Sequence, residues 1–131
     1  FAVAEKGANP LIYIYAYPSM KLYRVLKGGT EMAYAHCEFS SKNGDKLVSV
    51  GCEPDYTITV WDWMAQRVIL KSKAFSADVF RCSFSPNEDN IIFTSGSGHI
   101  KFWKMSNTFT GLKLQGEIAK FVDCWHASGT R

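Results

Sequence analysis

The sequence predicts an all-β chain made of small antiparallel sheets that repeat along its length. Three observations predict it. First, apolar and polar residues alternate in short runs bounded by turn residues, as in Thr57-Ile58-Thr59-Val60-Trp61. Period two is the mark of half-buried strands. Second, the runs recur. Residues 35–51 align with 80–96, placing Cys37 on Cys82, Phe39 on Phe84, Ser40 on Ser85, Leu47 on Ile92 and Gly51 on Gly96, every pair 45 apart. Third, an aromatic closes one strand of each unit. Past the glycine the offset drops to 42, which sets Ile58 on Ile100, Val60 on Phe102 and Trp61 on Trp103. A loop three residues longer in the first copy, Cys52 to Tyr56, explains the change.

A third, weaker copy lies upstream. Phe1-Ala2-Val3 sits 46 before Leu47-Val48-Ser49, and Ile12, Ile14 and Tyr15 sit 46 before Ile58, Val60 and Trp61. Each complete unit reads as four strands. The first covers 34–39 or 79–84. A polar turn follows, Ser-Ser-Lys-Asn-Gly-Asp-Lys or Ser-Pro-Asn-Glu-Asp-Asn, rich in the residues that favour turns. The second strand covers 47–51 or 91–95, and the third 57–61 or 99–103. The fourth covers 67–70 or 112–114, with 22–26 as its upstream counterpart. Four strands per 40–45 residues is the arithmetic of a β-propeller blade. The expected division is a partial blade over 1–26, a blade over 27–71 and a blade over 72–116. Residues 117–131 then begin a further blade or form a short irregular or helical segment, because Ile118, Phe121, Val122 and Trp125 have helical spacing. The chain opens without Met inside an alternating run, so a piece of a longer propeller is expected.

Composition narrows the function classes. Of 131 residues, 47% are hydrophobic and 15% aromatic, too many for a disordered tail. The net charge is +3, and the fifteen basic residues are scattered, whereas a nucleic-acid or membrane binder clusters them. Lys71, Lys73, Lys101 and Lys104 are placed as solvent-facing strand residues. No apolar run approaches the ~20 residues of a membrane helix. Cys37, Cys52, Cys82 and Cys124 form no Cys-x-x-Cys pair, which points to reduced thiols in a cytosolic setting.

The segment Asp55-Tyr56-Thr57-Ile58-Thr59-Val60-Trp61-Asp62 resembles the WD40 family over roughly residues 1–116. The resemblance implies a buried network linking a His before the first strand, a Ser or Thr in the second, an Asp before the third, and the Trp. Ser49, Asp55 and Trp61 match it, while Thr30 stands in the place of the His. The next unit keeps Thr94 and Trp103, with Ser97 for the Asp and Phe75 for the His. The upstream unit has Asn9 for the Asp and Tyr15 for the Trp. Two further stretches, Tyr-Pro-Ser-Met-Lys-Leu-Tyr-Arg-Val-Leu-Lys-Gly-Gly-Thr-Glu (17–31) and the one running from Ser95 to Gly116, look like the large axonemal WD-repeat proteins of cilia and flagella. That resemblance implies a cytoskeletal scaffold of the ciliary or flagellar axoneme. It implies a tether complex that links the motor heads of an inner-arm dynein heavy chain to the doublet microtubule (tubulin) and so regulates ciliary movement. A paralogous axonemal WD-repeat protein is its implied partner.

Enzyme chemistry finds little footing. His36 beside Cys37 points to the opposite face of a strand, so base and nucleophile do not meet. Cys124 and His126 lack a second ligand pair at zinc spacing. Ser95-Gly96-Ser97-Gly98-His99 lacks the following Lys and helix of a phosphate loop and reads as a tight turn. No catalytic, metal or cofactor residues are expected. Trp61 and Trp103 read as packed side chains whose indole N–H groups need partners. Trp63 has no aromatic counterpart, since Met105 takes its place, so it and Glu53 in the longer loop are the candidate partner contacts. The alternative reading is a WD40 peptide-recognition or adaptor module of a different cytosolic complex.

Overall fold

The computed structural model describes residues 1–73 and 77–118. Eleven strands and no helix make up the described residues. Sheet I holds β1 (Ala2–Ala4), β2 (Ile12–Ala16) and β3 (Lys21–Leu26) in the order β1-β2-β3. Sheet II holds β4 (Tyr34–Phe39), β5 (Lys46–Gly51), β6 (Thr57–Asp62) and β7 (Arg67–Lys73), again in chain order. Sheet III holds β8 (Val79–Phe84), β9 (Ile91–Gly96), β10 (His99–Thr108) and β11 (Gly111–Ile118). Every pairing is antiparallel. The repeat is visible in the registers: Lys46 faces Asp62 in sheet II, and Ile91 faces Lys104 in sheet III.

Two cores fill the gaps between sheets. Ile12, Ile14 and Leu26 of sheet I pack with Leu47 and Trp61 of sheet II. Val48, Val50, Ile58 and Val60, from the other face of sheet II, pack with Val79, Cys82, Phe84, Ile92, Trp103 and Met105 of sheet III. Sheet II is therefore covered on both sides. This corrects the reading of residues 57–61 as half-buried. Thr57 and Thr59 are as buried as Ile58 and Val60, because a middle blade has neighbours on both faces. Their hydroxyls are satisfied locally: Thr57 Oγ1 donates to Asp55 Oδ2 at 2.8 Å, and Thr59 Oγ1 to the Gly29 carbonyl at 3.3 Å.

One further expectation changes. Glu117 and Ile118 do not open a separate segment; they complete β11, where Ile118 faces Lys101 and Glu117 faces Phe102. The helical spacing counted Ile118, but the long β10 offers it a ladder position first. Phe121, Val122, Cys124, Trp125 and His126, like Phe75, lie outside the described residues. β6 stops at Asp62 and the chain turns over 63–66, which places Trp63 in the turn.

The segment between sheets I and II is stitched to both. Gly7 N–H donates to Met32 O at 2.7 Å and Asn9 N–H to Glu31 O at 2.8 Å, while Cys52 N–H donates to Ala33 O at 2.9 Å. The last bond recurs one unit later, where Ser97 N–H donates to Asp78 O at 2.8 Å. These bonds gather the loops 5–11 and 52–56 and the connection 27–33 on one face of the stack. The turns 40–45 and 63–66 lie on the other.

Candidate functional site

Trp61, on β6, is wholly buried and donates its indole N–H to Ser49 Oγ on β5 at 2.9 Å. Trp103, on β10, donates to Thr94 Oγ1 on β9 at the same distance. A buried indole N–H left without an acceptor is costly, so the hydroxyl one strand over is matched to the ring. Gly29 lies flat against Trp61; a Cβ there would stand 2.6 Å from the ring carbon Cζ2. The phenol of Tyr34 also crowds Gly29, and burial pushes its pKa up to about 12.

Asp55 forms a separate group. Its carboxylate accepts from Thr30 Oγ1 at 2.7 Å and from Thr57 Oγ1 at 2.8 Å. Partial burial, the largest single cause, raises its pKa, but the Thr30 and Thr57 hydroxyls together with the main-chain N–H groups of Asp55 and Glu31 outweigh it and the net shift is downward. The structure thus pairs Ser49 with Trp61 and Asp55 with Thr30, and places no direct hydrogen bond between the two pairs. Thr30 stands where the family resemblance implies a His, and it supplies that donor. Its position by spacing was the available signal; its chemistry was passed over. In sheet III the Asp counterpart Ser97 contributes its backbone N–H. In sheet I, Tyr15 stacks on Phe1 at 5.4 Å, and Asn9 adopts a left-handed φ of 51° while its N–H bonds Glu31.

Glu53 and Asp78 are exposed on the loop face. Both bear on Tyr56, whose phenol is raised first by burial and then by Glu53 and Asp78. On the opposite face Trp63 is half-buried. It donates Nε1–H to Gly44 O at 2.7 Å and meets Phe39 and Tyr23 edge-on, with centroids 5.6 and 6.0 Å away. Tyr23 belongs to sheet I, so the ring spans the joint between sheets I and II. Arg24 and Gln66 reinforce it: Arg24 Nε donates to Met64 O at 2.9 Å, and Val25 N–H donates to Gln66 Oε1 at 3.0 Å. Nothing in the local pattern of the sequence pointed to Arg24 or Gln66.

The cysteines occupy core slots. Cys82 is buried with its thiol facing the carbonyls of His36 and Val48 at 3.8 Å each, and burial lifts its pKa well above the usual value. Cys37 is half-buried against sheet I and raised by the same cause. Among the described residues, no group of three or more His, Cys, Asp or Glu side chains is placed to hold a metal ion. A cavity of about 380 Å³ lies on the outward face of sheet III, lined by Phe93, Phe102 and Lys104 among others. These stand one unit after Val48, Val60 and Asp62, so the cavity sits on a blade-packing face.

Antiparallel four-stranded units stacked face to face, each complete unit with an indole bonded to a hydroxyl one strand over, define a WD40-type β-propeller. The β-propeller domain of Cps50 (Swd1) from Myceliophteria thermophila superimposes with a TM-score of 0.70 over 89% of this chain and 35% of its own, at 14% identity. No family model matches the sequence. In sequence the chain is homologous to cilia- and flagella-associated protein 44. It is 59% identical to the Mus musculus protein over 121 residues and 50% identical to the Chlamydomonas reinhardtii protein over 126. Each alignment covers 92% of this chain, which spans 6% and 7% of those relatives' lengths. Cilia- and flagella-associated protein 43 of Mus musculus is 28% identical over 93% of this chain and 8% of its own length.

Proposed function

We propose that this chain is a non-enzymatic scaffold segment of the ciliary or flagellar axoneme. In this reading its blades belong to a tether complex that links inner-arm dynein motor heads to the doublet microtubule and so regulates motility. A paralogous WD-repeat protein is its partner in that complex. The observation that carries the reading is the 59% identity to a cilia- and flagella-associated protein across 92% of the chain. The blades supply what a scaffold needs: a stack stiffened by buried indole–hydroxyl pairs, with loops presented on a rigid frame. Glu53, exposed on the loop face, and the solvent side of Trp63 are the proposed contacts to partners.

Proximity labelling from the full-length protein in motile cilia tests this. Recovery of an inner-arm dynein heavy chain, tubulin and a paralogous WD-repeat protein is expected. Glu53→Lys is expected to weaken recovery of one of them while leaving the protein's abundance unchanged. Labelling confined to cytosolic complexes outside the axoneme would replace the scaffold with an adaptor role.

A further inference from the structure

One end of the stack carries apolar side chains that the packing of blades does not cover. Sheets I, II and III turn there through residues 17–20, 63–66 and 109–110. The first two turns adjoin, since Arg24 Nε donates to Met64 O at 2.9 Å. Thirteen large hydrophobic side chains are exposed among the described residues, and seven of them fall within 17–23, 64–68 and 109. Tyr17, Met20, Met64 and Phe109 are among the seven. Blades meet face to face, so a further blade can cover Ile100 and Phe102 but not turns at the strand ends. In sheet III this corner is drawn out into a finger. Lys104 faces Gln115 where Asp62 faces Arg67 in sheet II. Sheet II turns at that pair, whereas β10 and β11 run on through four more, from Met105 with Leu114 to Thr108 with Gly111. At ~3.4 Å per residue the finger reaches about 14 Å further, and Phe109 stands entirely exposed at its tip.

A second observation concerns charge. Residues 17–24, 63–68 and 106–113 hold four basic residues and no carboxylate. The loops 5–11 and 52–56 and the connection 27–33, at the opposite end, hold four carboxylates against two lysines. Charges that are scattered along the sequence are thus sorted by the fold. Arg24 and Arg67 are engaged within the chain, Arg24 by Met64 O and Arg67 by Asp62 at 3.3 Å. Lys21 and Lys113 are exposed and form no ion pair with a described residue. Apolar side chains rimmed by unpaired lysines match a polypeptide whose own apolar side chains are flanked by carboxylates. Two free lysines fall short of the roughly four to eight that recognise an anionic membrane. A second copy related by a two-fold axis would set the same lysines against each other.

We propose that the turns of the three sheets form one docking surface for an acidic, amphipathic segment of a partner protein. The apolar side chains of that segment rest on Met20, Met64 and Phe109, and its carboxylates reach Lys21 and Lys113. The finger of sheet III carries the anchor, because Phe109 projects beyond the turn of sheet II. The surface lies at the other end of the stack from Glu53, owes nothing to the ciliary assignment and stands or falls apart from it.

The test presents a random peptide library on phage to the purified full-length protein, with counter-selection on its Met64→Asp/Phe109→Asp variant. The selected peptides are expected to carry bulky apolar residues beside Asp or Glu and a net negative charge. A synthetic peptide of the most enriched sequence should bind Phe109→Asp roughly tenfold or more weakly, the worth of one large side chain buried. Phe109→Leu should keep most of the affinity. Lys21→Glu with Lys113→Glu should weaken binding and Lys21→Arg with Lys113→Arg should not, so that the loss follows charge. All four substituted positions are exposed, and melting temperatures equal to the parent's separate a lost contact from a lost fold. A selection that enriches neutral or basic peptides, or none that tell the parent from the variant, overturns the proposal. Binding to phosphatidylserine-containing vesicles that Phe109→Asp abolishes also overturns it, since the occupant is then a membrane. So does a dimer of the full-length protein that Phe109→Asp converts to monomer, since the occupant is then a second copy.

Discussion

Each buried indole in sheets II and III is matched by one hydroxyl, and the match sets what a single atom is worth. Removing Ser49 Oγ leaves the Trp61 N–H buried without its acceptor at 2.9 Å. Such an orphan costs about 1–3 kcal/mol. Ser49→Ala in the intact propeller is therefore expected to lower the unfolding free energy read from urea titration by that amount, and Ser49→Thr by much less; equal effects of the two would mean that the bond contributes nothing. Asp55 supplies a pH signature. Its pKa is lowered in the folded state from 3.8, so its contribution is full above that unfolded value and is lost as the pH falls through the lower folded one. Acid unfolding monitored below about pH 4 is expected to flatten in Asp55→Asn relative to the parent. Thr30→Val should flatten it too, since the Thr30 hydroxyl is a main cause of the lowering. An acid limb unchanged in both variants would show that the carboxylate is not coupled to folding. At this scale the repeat aligned Trp61 with Trp103, and the family resemblance implied Ser49 and Thr94 beside them. Thr30 was legible by position alone, because a Thr that does the work of a His leaves no mark in a motif.

Elements are held to one another as much by the turns as by the cores. The outer edge of β3 is a row of backbone groups that a neighbouring strand would pair. The turn 63–66 of sheet II takes up one of them, the Val25 N–H, through Gln66 Oε1, and the Arg24 side chain reaches the Met64 carbonyl beside it. Trp63 closes the same joint with Tyr23. Trp63→Ala is expected to cost about 2 kcal/mol, less than the ~3–5 of a fully buried Trp. A double-mutant cycle with Tyr23→Leu should show a coupling of about 0.5–1.5 kcal/mol for the edge-on pair. Additivity within error would place the two rings in separate environments. Strand existence and register were readable because period two and the 45-residue offset are local or near-local signals. The Trp63 joint was not, because its partners lie on a different sheet and no pattern within one unit names them. The repeat marked Trp63 only as a residue it does not require. The lengths of β10 and β11 were underread for a related reason: beyond Met105, whose N–H still bonds Asn90 O, the ladder runs between β10 and β11, so the repeat supplies no template for them.

Over the whole molecule, the repeat also says what is uncovered. Val48, Ile58 and Val60 are fully buried because sheet III covers them. Their counterparts one unit on are Phe93, Ile100 and Phe102, and the last two are 39% and 41% exposed. Covering one such side chain is worth about 1.5–3 kcal/mol, so the open face represents on the order of 5 kcal/mol. That matches the lower end of a domain's entire stability, about 5–15 kcal/mol. Sheet I is short of the other blades by one strand, which leaves the backbone edge of β1 open as well. The 131-residue segment, expressed alone, is therefore expected not to melt cooperatively as a monomer. It should bind a hydrophobic dye and self-associate through the sheet III face. Replacing Ile100 and Phe102 by Lys should suppress that association in the isolated segment without giving it a cooperative transition. In the intact protein the same two changes should destabilise the propeller by several kcal/mol, because a buried charge without a partner adds to the lost packing. Differential scanning calorimetry with sedimentation of both forms decides it. A reversible two-state transition from the isolated monomer would mean that the stack of sheets I to III closes its own core, and that the exposed row on sheet III is ordinary surface.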